Sequence, residues 1–347
     1  MGTIDLRSDF LAHATPAMDE AARVAAGSRL FGLREDPWQR KVEARLAALL
    51  GKEDALVFPT CTMANTTALL LQAVPGSTVV MQQGAHMLTS EANAGAAIGG
   101  LWMTAVDGEG ARPPLAAWQQ ALATTADAQR APVALVALEN THNRTGGVAL
   151  PAAYCGEVVA LARSRGARAH LDGSRIFYAA AALRTAPADL AAGFDTVSVS
   201  LNKTFGAPVA AALAGSAEAI ERALPVRQRL GGGLRPIGSA AAATLAGLED
   251  VSHVATSLAH AARLADALAR MPCVAPERPP EQTNIVLASL TRPWTAAALC
   301  DRLALDGVLA LPFAADRVRF VTYRGITDDD IDVTIARLQA ILRGPSG

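Results

Sequence analysis

Apolar runs of strand length alternate with longer Ala- and Leu-rich stretches through most of the chain. Pro132–Asn140, Arg168–Asp172 and Asp195–Leu201 each read as a buried parallel strand, because each is a short, partly β-branched apolar run that closes on polar residues. Between them Tyr154–Arg165 and Ala186–Gly193 carry the spacing of crossover helices. Nearer the start, Arg34–Leu50 reads as a helix ending at Gly51, a glycine suited to a left-handed C-cap, and Ala55–Phe58 follows as a strand. The next apolar stretch is helical to about Ala73, and a long helix is expected from Gly238 to Ala269 after the Gly231-Gly-Gly segment. Pro272–Pro280 reads as a linker. Beyond it, a strand at Asn284–Ser289, a helix at Thr295–Asp306, a strand at Arg317–Thr322 and a helix from Asp328 describe a small α+β unit. This rhythm predicts a doubly wound α/β domain at 1–250 and a smaller α+β domain at 251–347. In such sheets ligands collect beyond the carboxyl ends of the strands, so the polar residues closing each strand become the site candidates.

Composition narrows the function. No run of about 18 apolar residues is free of charge, which argues against a membrane span. Met1-Gly-Thr-Ile-Asp-Leu-Arg resembles neither a signal peptide nor a transit sequence, so a soluble, cytoplasmic protein is expected. A net charge of −1 with dispersed basic residues gives no footprint for nucleic acid. Cys61, Cys155, Cys273 and Cys300 form no CxxC pair, which predicts neither a disulfide framework nor a metal site. Small-molecule chemistry remains.

Only three lysines stand against 28 arginines, and Lys203 closes the run Thr196-Val-Ser-Val-Ser-Leu-Asn-Lys. An amine in a desolvated pocket can lose its proton and attack a carbonyl, which a guanidinium cannot do. A GC-rich coding sequence would also make lysine scarce, and a strand-end lysine reaching into solvent is the plain alternative. Asp172, in His170-Leu-Asp-Gly-Ser-Arg175, precedes Lys203 by one strand-helix-strand unit, so both fit one sheet edge. A carboxylate there could pair with a protonated pyridine nitrogen while the lysine holds the aldehyde carbon of pyridoxal 5'-phosphate (PLP). Alternatively it caps a helix beginning near Gly173. Glu139-Asn-Thr-His-Asn143 closes a third strand.

These segments, together with Ser198-Val-Ser-Leu-Asn-Lys-Thr-Phe-Gly-Ala-Pro and Leu230-Gly-Gly-Gly-Leu-Arg, resemble the motifs of L-threonine aldolases. Those enzymes belong to the beta-eliminating lyase and threonine aldolase group of fold-type-I PLP enzymes. The similarity runs in collinear order from Ile4-Asp-Leu-Arg-Ser-Asp to Val318-Arg-Phe-Val-Thr-Tyr. It implies an aspartate-aminotransferase-like α/β fold with a mostly parallel sheet of the seven-stranded type. By resemblance Lys203 binds PLP covalently, Asp172 meets its ring nitrogen, and Arg175 contacts the cofactor or the substrate carboxylate. His86 is similar to the histidine that stacks on the ring, and His142 to one near the substrate's β-hydroxyl. Thr60, Cys61 and Thr62 match a phosphate loop at a helix N-terminus, and Arg235 an arginine that reaches a phosphate, across a subunit boundary in a dimeric site. Arg319 matches the arginine that binds the substrate carboxylate, assisted by Ser8, with Phe31 on the substrate side.

Four positions depart from the family pattern. Cys61 replaces a glycine, Phe31 a tyrosine, Tyr323 a histidine, and Gln228 a basic residue. The implied reaction is retro-aldol cleavage of L-threonine, L-allo-threonine and related β-hydroxy-α-amino acids to glycine and an aldehyde, in a homodimer or homotetramer sharing its sites. A β-eliminating lyase, a racemase-like enzyme or a non-catalytic PLP-fold protein are the alternatives.

Overall fold

The computed structural model describes residues 2–343 apart from 29, 109, 124–126, 128, 280 and 281. A short N-terminal strand, β1 (Ile4–Asp5), precedes seven strands of one sheet. These are β2 (Asp54–Phe58), β3 (Thr78–Met81), β4 (Trp102–Ala105), β5 (Val133–Glu139), β6 (Arg168–Asp172), β7 (Thr196–Ser200) and β8 (Ala211–Gly215). They lie in the order β2-β8-β7-β6-β5-β3-β4. Only β8 runs against its neighbours, pairing antiparallel with both β2 and β7. The fold is thus the mostly parallel α/β architecture that the alternating pattern predicts.

Burial explains the sequence of the central strands. Every residue of β7 and β8 is buried, as is all of β6 but its first residue, so these strands have no polar face to display. The first crossover helix shows how locally the chain is instructed. Asp36 accepts backbone N–H bonds from Trp38 at 2.8 Å and Gln39 at 3.3 Å, Pro37 occupies the first turn, and Gly51 ends the helix at φ 62°.

A second sheet follows from β9 (Val274–Pro276), β10 (Ile285–Leu290), β12 (Leu311–Ala314) and β13 (Arg317–Val321), in the antiparallel order β12-β13-β10-β9. The remaining strand, β11 (Val308–Leu309), pairs in parallel with β1. Ile4 and Leu6 therefore join the second hydrophobic core, with Leu264, Leu268, Val286 and Phe320. The supposed linker holds β9; its proline is tolerated because the strand is at the sheet edge.

The long helix expected from 238 to 269 is two helices, Gly238–Leu248 and Ser252–Leu268. At the break, the Asp250 carbonyl accepts from Arg324 Nη2 at 2.7 Å, and its carboxylate takes the Ser252 N–H at 3.0 Å. Arg324 thereby ties the break to the loop after β13. Among the described residues no helix is long and apolar enough to cross a membrane.

Candidate active site

Asp172 ends β6, Glu139 ends β5, and Lys203 sits in a five-residue helix, Leu201–Phe205, directly after β7. Thr60 follows β2 as the N-cap of the helix Cys61–Gln72, its hydroxyl accepting from the Met63 N–H at 3.1 Å. At these strand ends lies a cavity of about 190 Å³, walled by Phe10, Thr60, Cys61, Thr62, His86 and Lys203. Lys203 is buried, with its amine 4.7 Å from the centre of the Phe10 ring.

Asp172 lies behind this wall. Its Oδ1 accepts from the Ser174 hydroxyl at 2.7 Å and N–H at 3.1 Å, and its Oδ2 accepts from Asn65 Nδ2 at 3.0 Å. Burial alone would raise its pKa, but the charge of His86, the Ser174 bond and the charges of Lys203 and His170 outweigh it and hold the carboxyl below its ordinary value. The site therefore keeps an anion at its floor.

His86 is oriented from two sides. Its backbone N–H donates to Glu139 Oε2 at 2.5 Å, and its Nδ1 lies 2.8 Å from Glu91 Oε1. The Glu91 bond raises the imidazole pKa against the opposing effect of burial, and Asp172 adds to the rise. Donor atoms of His86, Glu91 and Asp172 lie within 4.8 Å of one another, so the imidazole faces two carboxylates whose charge favours its protonated form.

Asn65 and Glu91, to which no role was assigned from sequence, complete this arrangement. Asn65 Nδ2 bridges Glu91 at 2.8 Å and Asp172, while its Oδ1 accepts from Ser198 Oγ at 2.5 Å and lies 3.2 Å from His170 Nε2. The polar run Asn65-Thr66-Thr67 between Ala64 and Ala68 in an Ala- and Leu-rich helix is the signal that could have found it.

Cys61 opens its helix with an ordinary backbone, absent from the positive-φ residues, so no glycine is needed there. Its Sγ lies 3.1 Å from Ser174 Oγ, and burial, reinforced by the Asp172 charge, pushes the thiol up to about 12.

A second group gathers around Asp9. Arg175 Nε and Nη2 grip the Asp9 carboxylate at 2.6 and 2.9 Å, both residues being buried. Sequence resemblance directed Arg175 to cofactor or substrate; in the structure two of its donors are spent on Asp9. Arg319, on β13, donates to Asn143 Oδ1 at 3.1 Å and to the Arg7 carbonyl at 3.2 Å, and its buried Nε has no partner among the described residues. Burial, then the like charge of Arg175, pushes it down to about 10. Ser8 caps the short helix Asp9–Leu11, accepting from the Phe10 N–H at 3.2 Å.

His142 is buried with Nδ1 3.1 Å from Thr145 Oγ1, and its Nε2 has no partner among the described residues. Glu139 joins it to the rest, since its Oε1 accepts from the Asn143 N–H at 2.8 Å while Oε2 holds His86. Arg235 and Phe31 do not line this chain's cavity. They meet each other at the surface, Arg235 donating to the Phe31 carbonyl at 3.2 Å with its guanidinium 5.2 Å from a ring that is 85% exposed. Gln228 is exposed, while Arg227 turns inward to the Val57 carbonyl at 2.8 Å. Tyr323 is buried and ties its hydroxyl to the Asp5 carbonyl at 2.7 Å.

Over 98% of its length the chain is 32% identical to low-specificity L-threonine aldolase 1 of Arabidopsis thaliana, covering 96% of that protein. It is 31% identical to the low specificity L-threonine aldolase of Escherichia coli K12, covering 98% of this chain and 99% of that one. The solved structure of Leishmania major threonine aldolase superposes with a TM-score of 0.84 at 18% identity, over 98% and 99% of the two chains, and so shares the fold. The sequence model of the Beta-eliminating lyase family matches residues 5–291, and the chain belongs to that family.

Proposed function

We propose that this protein is a PLP-dependent aldolase that cleaves L-threonine, L-allo-threonine and related β-hydroxy-α-amino acids to glycine and an aldehyde. The observation that carries this reading is the meeting of Lys203, His86 and the Thr60–Thr62 helix start on one cavity, backed by an ionised Asp172. These residues fit the cofactor. Lys203 offers the amine for its aldehyde carbon, Asp172 an anion for the pyridine nitrogen, His86 a flat ring beside it, and the helix Cys61–Gln72 its N-terminal dipole and Thr62 for the phosphate. Arg235 and Phe31, exposed together, are placed to serve a neighbouring subunit's site in a homodimer or homotetramer.

PLP, when bound, supplies the electron sink that cleavage of the Cα–Cβ bond requires. The chain supplies orientation and proton movement. Arg319, with its unpartnered Nε, receives the substrate carboxylate, and Ser8 lies one residue from the Arg7 carbonyl that Arg319 holds. With Arg175 engaged by Asp9, Arg319 is the freer of the two arginines for that task. His86 has its Nδ1 engaged by Glu91 at 2.8 Å. His142 Nε2, buried and unpartnered, is the better acceptor for the β-hydroxyl proton and can return it after the aldehyde leaves.

The test is product analysis with L-threonine, L-allo-threonine, L-serine and their D-enantiomers, with Lys203→Ala as control. Glycine with acetaldehyde from the threonines supports the reading. Pyruvate, or inversion without an aldehyde, replaces it with elimination or racemisation.

A further inference from the structure

The helix that carries Lys203 is only five residues long, Leu201–Phe205, and too short to be stable by itself. Its last carbonyls are held from outside. His253 Nε2 lies 2.7 Å from the Thr204 carbonyl, and Arg324 Nη1 donates to the Phe205 carbonyl at 3.2 Å. The two holding groups are joined to each other, because Arg324 Nη2 lies 2.8 Å from His253 Nδ1 and also donates to the Asp250 carbonyl at 2.7 Å. Arg324 is buried, and the Phe205 ring meets His253 edge-on at 5.8 Å.

Donor logic fixes the imidazole. Arginine can only donate, so Nδ1 must be the acceptor; a carbonyl can only accept, so Nε2 must carry the hydrogen. Both bonds exist only for the neutral ring. The charged groups at His253 are Arg324, from the loop after β13, and Asp250, just before its own helix; Thr204 presents only a carbonyl. Burial, then the charge of Arg324, lowers the His253 pKa, in keeping with that neutral ring.

Backbone contact closes the other side. A Cβ on Gly206, at φ 64°, would stand 2.4 Å from the His13 carbonyl, and one on Gly325, at φ 111°, 2.5 Å from the His13 ring. The N-terminal segment thus lies against both the Lys203 helix and the loop that bears Arg324. Arg324 is five residues beyond Arg319, and the link is fixed by Thr322, whose hydroxyl donates to the Ser257 carbonyl at 2.6 Å.

We infer that Arg324 and His253 position Lys203, holding the end of its helix to the loop that follows the Arg319 strand; the inference rests on the reading of Lys203 given above. Neither residue touches the cavity, and both act through the helix backbone.

Competitive acylation of the full-length chain freed of PLP, followed by peptide mass spectrometry, reads the free Lys203 amine, since Lys41 and Lys52 are the chain's other lysines and serve as internal references. Arg324→Ala is expected to change the Lys203 labelling ratio several-fold and to lower kcat by about tenfold or more with KM little changed, as misplacement of a reacting group requires. Arg324→Lys restores charge and part of the bonding and recovers activity in part. His253→Gln keeps a donor and an acceptor, so it retains kcat and the Lys203 labelling ratio at neutral pH. Unchanged labelling and kcat in folded Arg324→Ala overturns the inference. Should borohydride fix no PLP on Lys203 of the wild type, the functional reading fails, while the labelling ratios still decide the clamp.

Discussion

Replacing Asp172 by Asn tests whether the site works through a buried charge or through its shape. The two side chains are nearly isosteric, and Oδ1 can keep its bonds from Ser174 at 2.7 and 3.1 Å. The new amide must then face Asn65 Nδ2, which now donates at 3.0 Å. Asn65 cannot simply turn over, because its Oδ1 is held by Ser198 at 2.5 Å and faces His170 at 3.2 Å. One buried donor is left unpaired, at a cost of about 1–3 kcal/mol in folding stability, partly offset by relief of the buried charge.

The effect on cofactor is separate. A hydrogen bond to a charged partner contributes about 1.5–3 kcal/mol, so at about 1.4 kcal/mol per decade the variant should bind PLP about ten- to a hundredfold more weakly. The His86 pKa should fall as well, since Asp172 helps to raise it. Ser174→Ala is the control: it removes the 2.7 Å bond and leaves the charge. PLP affinity from the chromophore, kcat for L-threonine and urea midpoints should therefore order as wild type, Ser174→Ala, Asp172→Asn. Wild-type PLP affinity in Asp172→Asn, or a larger loss in Ser174→Ala, would refute the reasoning.

Arg319→Met removes a buried guanidinium whose Nε has no partner among the described residues, so it should raise the melting temperature while raising KM for L-threonine by at least about tenfold, measured by calorimetry and initial rates. Asp9→Asn leaves Arg175 buried without its counter-charge and should cost about 3–5 kcal/mol in urea unfolding. His170 is pushed down to about 4 by burial, so the unfolded chain binds an extra proton between that value and the ordinary 6.5. Stability is therefore full above that window and falls as pH drops through it, by about 3 kcal/mol from this group; urea midpoints across the range should show a shallower slope in His170→Gln. Cys61, with its thiol near 12, should resist iodoacetamide at pH 8, and rapid alkylation detected by mass spectrometry would contradict its burial.

What could be read in advance divides along sequence distance. Lys203, Asp172 and Thr60 stand at or just past the ends of strands legible in the pattern, and a parallel sheet brings such junctions to one edge. His86 follows β3, which is not among the expected strands, and only its resemblance to the family motif pointed to it. The partners that tune these groups obey no local period. Asp9 is 166 residues from Arg175, and Arg324 is 119 from the Phe205 carbonyl it holds. The same distance hid the break at Asp250, whose segment has good helical composition and is interrupted by an arginine arriving from another part of the chain. Likewise β8 is not among the strands expected from the pattern, and its reversed direction follows only from its placement between β2 and β7. Reactive groups are thus set by short-range geometry, whereas their protonation and aim are set by long-range contacts.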